Sequence, residues 1–153
     1  EEGRPMFLRR PDSHLGLANF MRSHLYASLV TLKIGLDILL KEEDVKIDSI
    51  TGHGGLFKTK GVGQSILAAA MNAPISVMET AGEGGAWGMA LLAAYMLSKK
   101  DGQSLGDYLD SRVFAERKSE TMEPDPADVA GFETYTKQYQ ACLAAEKVAV
   151  QAF

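Results

Sequence analysis

Residues 49–67 read SITGHGGLFKTKGVGQSIL, with five glycines and two lysines in nineteen positions. Glycine lets a backbone approach an anion without a Cβ in the way, and lysine adds positive charge. The chemistry that suits such a stretch is phosphate binding, with backbone N–H groups and a helix dipole holding the anion at a helix start. The standard P-loop needs a glycine directly before its lysine. Here Phe57 stands before Lys58. Gly52, Gly54 and Gly55 therefore remain as candidates for close backbone approach, and Lys58 or Lys60 as added charge. A surface turn with solvated lysines is the competing reading.

A second glycine stretch, Gly82-Glu83-Gly84-Gly85-Ala86-Trp87-Gly88, has the spacing G-x-G-x-x-x-G. A dinucleotide fold also needs a strand bearing an acidic residue about 20 residues further on. Asp101 lies near that distance, but in an Asp-Gly turn with no strand. Close packing is the other role for these residues. Gly88, Ala90, Ala93 and Ala94 make a helix face small enough for another backbone to lie against. His14, His24 and His53 have no metal-ligand spacing. His24 reads as a core or interface residue, and His53 as either a ligand-facing or a loop-structuring one. Trp87 and Cys142 read as packing residues. No nucleophile elbow, zinc-protease helix or carboxylate pair stands out.

The elements that must position these residues follow from periodicity. Leu17–Lys41 predicts a long helix, with Phe20, Met21, His24, Leu25, Ser28, Leu32, Leu36 and Leu39 on its apolar stripe. Residues 45–50 alternate and predict a strand running into the first glycine stretch. Residues 64–71 predict a helix stopped by Asn72-Ala73-Pro74, and 75–78 a second strand. The second glycine stretch opens a helix that ends near Lys99-Lys100, where two cations suit the dipole. Leu105, Tyr108, Leu109, Val113 and Phe114 predict a short helix. A polar loop follows over 116–128, and an amphipathic helix over 125–153 closes the chain. Met6-Phe7-Leu8, bounded by prolines in an extended entry segment 1–16, predicts a further short strand. This order implies an α/β domain with a partial parallel sheet covered by helices.

The chain has 153 residues, enough for a single domain with a core over 1–153. A net charge of −4 and a pI near 5.4 argue against a nucleic-acid partner. One cysteine excludes a disulfide framework and suits the cytoplasm. No apolar run is expected to reach the ~18 residues of a membrane span, and no signal peptide is visible. The opening Glu1-Glu2-Gly3-Arg4-Pro5, with no initiator Met, predicts a piece of a longer protein, although a processed or tagged chain opens the same way. Too few strands are visible to close a sheet, which points in the same direction and leaves bare edges through which a homodimer could form.

Taken in order, five segments resemble the C-terminal part of the FGGY family of carbohydrate kinases, from about residue 4 to 139. They are FMRSHLYASLVTLKIGLDILL, ITGHGGLFKT, ILAAAMNAPISVMET, EGGAWGMALLAAY and the tail FETYTKQYQACL. The resemblance implies a ribonuclease-H-like, actin- and hexokinase-like ATPase domain. It implies a two-domain parent in which ATP with Mg2+ meets a sugar or polyol in a cleft. It places Gly54 and Gly55 near the α-phosphate and ribose, and Thr59 beside the adenine. It leaves the catalytic base and metal ligands to residues absent from this chain, which also lacks a D-x-G-[TS] phosphate hairpin. Gly84, Gly85 and Trp87 depart from the family pattern, and the segment after Gly55 is slightly long. Two readings stand beside it: a non-catalytic actin-like nucleotide-binding module, and a dinucleotide-binding oxidoreductase fragment.

Overall fold

The computed structural model describes residues 3–115 and 119–152, so part of the loop expected over 116–128 lies outside the described residues. Two compact units are distinguished, one built from residues in 1–46, 69–72 and 124–153, the other from 47–68 and 73–123.

In the first unit, Leu17–Lys41 forms the helix α1. It stops where Asp44 enters the left-handed region at φ 50°, a conformation that Asp tolerates better than most side chains. The N–H groups of Glu42 and Glu43 both return to the Ile38 carbonyl there. Pro126–Ala152 forms the last helix, α5 in chain order. Its start is specified locally, since the Asp125 carboxylate accepts the N–H groups of Ala127 at 2.8 Å and Asp128 at 3.2 Å. Pro126, with no N–H to satisfy, sits well in the first turn.

These two helices meet on a face different from the expected stripe. The buried residues of α1 are Tyr26, Leu29, Val30 and Lys33, at helical spacing. Phe20, Met21, Leu32 and Leu39 of the expected stripe are exposed, as is His24, which packs edge-on to Phe20 at 4.5 Å. Apolar residues stand on more than one face of α1, so hydropathy alone did not select its buried side; that side meets the aromatic residues of α5. Tyr26 lies 4.6 Å from Phe132 and 5.3 Å from Tyr135 between ring centroids. Lys33 enters this face because its charge is matched. Its Nζ lies 2.5 Å from Asp37 and 3.2 Å from Glu133 of α5. Unpaired, so buried an ammonium would be costly.

α1 also corrects the expectation about membrane-spanning length. By length and composition it is apolar enough to cross a membrane, with a mean hydropathy of 1.3 over its best 18-residue window. Only 22% of that window is buried, and Tyr26 on its buried side packs against Phe132. Residues 6–8 form no strand. Phe7 packs instead on Phe20, 5.4 Å between centroids, and the Arg4 N–H donates to the Glu146 carboxylate at 2.7 Å.

The second unit holds a three-stranded mixed sheet in the order β1-β2-β3: Ile50–Gly52, Ile75–Met78 and Ser119–Met122. β1 and β2 are parallel, with Ile50 opposite Ile75 and Gly52 opposite Val77. β3 is antiparallel to β2, with Ser119 opposite Met78. The expected partial parallel sheet is thus completed by an antiparallel edge. β3 had no sequence signal, because Ser119-Glu120-Thr121-Met122 is polar and nearly all exposed, as short edge strands are. β1 lies later than the expected strand over residues 45–50 and shares only Ile50 with it. The Val45 N–H bonds back to Leu39 at the end of α1, so the alternation there belongs to a helix cap.

Three helices complete this region: α2 (Val62–Met71), α3 (Gly84–Ser98) and α4 (Leu105–Tyr108), the last continuing as a π-turn over Leu109–Val113. Asn72, at φ 48°, ends α2, and residues 69–72 group with the first unit. α3 buries none of its residues, and Met89, Met96 and Leu97 are 69%, 76% and 90% exposed.

Two outcomes follow for stability. Phe132 is fully buried, so Phe132→Ala costs about 3–5 kcal/mol, read from urea unfolding. For Asp37, burial raises the carboxyl pKa, but the hydrogen bonds and charges of Lys33 and Lys41 outweigh it and hold the group below its ordinary value. A depressed folded value contributes stability above the unfolded value of about 3.9, which is lost as pH falls through the folded one. Between about pH 5 and pH 2 the native chain therefore loses more stability than Asp37→Asn does, measured by denaturant melts across that range.

Candidate nucleotide-binding site

β1 and β2 run parallel, and each ends in a glycine turn that leads to a helix. In open α/β sheets the crevice outside the carboxyl ends of the strands is where ligands bind. Here the two turns are stapled to each other. The Gly54 N–H donates to the Ala81 carbonyl at 2.7 Å. Lys58 Nζ lies 2.6 Å from the Glu83 carboxylate. Both partners are mostly exposed, so the pair contributes little stability, but it spans the two turns.

Contact explains several of the glycines. A Cβ on Gly52 would come within 2.3 Å of the Phe57 ring, and one on Gly63 within 2.4 Å of the Leu56 carbonyl oxygen. On Gly82 it would meet Lys58 Cγ at 3.1 Å, and on Gly84 His53 Nδ1 at 3.3 Å. The second stretch is therefore packed under the first at Gly82 and Gly84, where a dinucleotide pyrophosphate would need room. At these two positions the second stretch lies close to Lys58 and His53 of the first. Gly88 meets nothing within 4 Å, so the close-packed backbone expected against it is absent among the described residues.

The residues singled out in the first stretch fall into two places. Gly54 has φ 105°, a left-handed conformation that favours glycine, and its carbonyl accepts the Phe57 N–H at 3.1 Å. Gly55 opens a single 3-10 turn, Gly55–Phe57. It is exposed, and a Cβ there would meet nothing within 4 Å. Thr59 lies further on, in the wall of a cleft of about 430 Å³, which Gly54 and Gly55 do not line. Phe57, Gln64, Val77, Met78 and Glu120 are other residues of that wall. Lys58 and Lys60 border it too, but each already faces a carboxylate, Lys60 Nζ lying 3.0 Å from Glu120. The lysines are therefore poorly placed as dedicated phosphate grips.

Gln64 and the β3 residues escaped sequence reasoning. β3 left no trace in hydropathy. Gln64 did leave one, as a polar residue early in an otherwise apolar, alanine-rich helix. Among the described residues no group of three or more His, Cys, Asp or Glu side chains gathers to hold a metal ion.

Residues 1–97, well over half the chain and including both glycine turns, match the FGGY family of carbohydrate kinases, C-terminal domain. The chain belongs to that family. The match stops before the tail segment 132–143 that also resembled it. No curated protein and no solved structure matches the chain.

The glycine contacts separate fold from function experimentally. Gly63→Ala forces backbone movement and costs about 1–3 kcal/mol. Gly55→Ala, with open space at the Cβ, stays within about 0.5 kcal/mol of the native chain. Guanidinium denaturation of the two variants checks this ordering.

Proposed function

We propose that this chain forms the nucleotide side of an ATP-dependent sugar or polyol kinase of actin-like fold. Gly54 and Gly55 would receive the α-phosphate and ribose end, and the cleft beside Thr59 the base. The observation that carries this reading is the pair of stapled glycine turns at the carboxyl ends of β1 and β2, with the Gly55 backbone open to approach beside a cleft. Cleft volume also suits it, since small-molecule sites run from about 300 to 1,000 Å³.

ATP, when bound, supplies the γ-phosphoryl group for transfer to a carbohydrate hydroxyl. Such transfer depends on positioning and on charge neutralisation from several directions. This chain's part is to orient the adenosine end. Glu83 and Glu120, the carboxylates nearest the cleft's lysines, are engaged in ion pairs and are poor candidates for the base that takes the hydroxyl proton. The base and the Mg2+ ligands would come from the kinase's other domain. The exposed apolar surface of α3 supports such an arrangement, because a surface of this kind marks an interaction site.

In a thermal-shift assay ADP raises the melting temperature of the chain, while NADH at the same concentration leaves it unchanged. ADP at a hundred times its Kd adds about 2.7 kcal/mol to stability. Gly55→Ala weakens ADP binding about tenfold, roughly 1.4 kcal/mol, without moving the ligand-free melting temperature. A coupled ADP-release assay with ketoses and polyols shows no turnover by the chain alone. Protection by NADH instead of ADP, or robust turnover, would sink this reading.

A further inference from the structure

Gln64 lies in the first turn of α2 and is only 5% exposed. A buried amide requires partners, and it finds them on two strands. Nε2 donates to the Ile75 carbonyl of β2 at 2.7 Å and to the Glu120 carbonyl of β3 at 2.8 Å. An amide nitrogen carries two hydrogens, and both are spent here. One helix turn thereby holds two strands that are distant from each other in sequence.

β3 has little apolar surface to hold it. No residue of Ser119–Met122 is buried, and the strand lies at one edge of the sheet with its ladder to β2. Thr121 shares a hydroxyl contact with Ser76 at 2.8 Å, and the Glu120 carboxylate lies 3.0 Å from Lys60 Nζ. Both contacts are exposed, where water competes and an ion pair contributes little. The bond from Gln64 is better shielded, because its donor is buried. Segments with few buried apolar contacts are the ones that open locally while the rest of a fold stays closed. Ser119 and Glu120 line the cleft beside Thr59, so opening of β3 removes a wall of that cleft.

We propose that Gln64 is a positioning residue: its amide latches β3 in place as a wall of the cleft, and ligand binding is coupled to that latch. This rests on the reading of the chain as the nucleotide side of a kinase, and it requires no contact between Gln64 and the ligand. A nucleotide that binds only with the wall in place must in turn hold the wall closed, because such coupling is reciprocal. The Gln64 side chain and β3 then open and close as one unit. A Gln64 that served the fold alone would leave the opening of β3 indifferent to nucleotide.

The test uses the native chain first, because replacing Gln64 also removes its two structural bonds. Hydrogen exchange is followed in 1H–15N spectra with ADP as the probe. Without ADP, the β3 amides and the Gln64 side-chain amide hydrogens are expected to show similar protection, lower than that of the amides bonded between β1 and β2. ADP at a hundred times its Kd slows exchange at β3 and at the Gln64 side chain about a hundredfold. Gln64→Met, which keeps the length of the side chain and loses both donors, speeds β3 exchange about tenfold or more and weakens ADP binding about threefold or more. ADP binding that leaves β3 exchange unchanged overturns the latch and leaves the nucleotide-side reading standing. Protected β3 amides beside freely exchanging Gln64 side-chain hydrogens overturn it as well, by placing the hold on β3 elsewhere. No binding of ADP overturns both readings together.

Discussion

One side-chain amide ties the second unit together. Gln64 reaches from α2 to the carbonyl of Ile75 in β2 and to that of Glu120 in β3. β3 is short, polar and exposed, with little apolar surface to hold it in place. Its ladder to β2, the hydroxyl contact of Ser76 with Thr121 at 2.8 Å, the Lys60–Glu120 pair and the Gln64 bond hold it. Because α2 begins after the first glycine turn, the same bond also sets the cleft wall that Thr59 and Glu120 share. Buried polar groups of this kind specify position more sharply than apolar packing does, since a misplaced amide leaves donors unpaired.

The glycine turns show a second constraint, that of close approach. Gly54 bonds to Ala81, Lys58 lies over Gly82, and His53 lies over Gly84. Two turns that each resemble a ligand loop in sequence thus become one layered structure. In it the second turn supports the first. Gly55 is the position where the backbone stays open, and it is there that a ligand role is separable from a packing role.

Much of the fold was legible in order and type. The bounds of α1 and of β2, the existence of α2 and α3, the turn at Asn72 and the closing helix all follow from periodicity, helix caps and left-handed Asn or Asp. Family membership was legible as well, because the order and spacing of weak segments carry more information than any one of them. For the site, Gly54, Gly55 and Thr59 could be put forward only through the family resemblance, while the failure of the P-loop reading was evident from Phe57 alone. The dinucleotide spacing of Gly82, Gly84 and Gly88 was misleading in isolation, because spacing does not tell what lies above a glycine.

What the sequence by itself determined was local: which stretches are helical, where they stop, and where the chain can turn without a side chain. Those follow from neighbouring residues and from backbone sterics. Tertiary structure decided which side of α1 is buried, since its apolar residues offer more than one face and the rings of α5 meet only one of them. It decided that Lys33 belongs in a core, because its partner Glu133 is a hundred positions away. It decided that Ser119–Met122 is a strand, since a polar edge acquires its conformation from the ladder it joins. And it decided that the Gln64 amide ties α2 to both β2 and β3, since its two carbonyl partners are distant in sequence from each other.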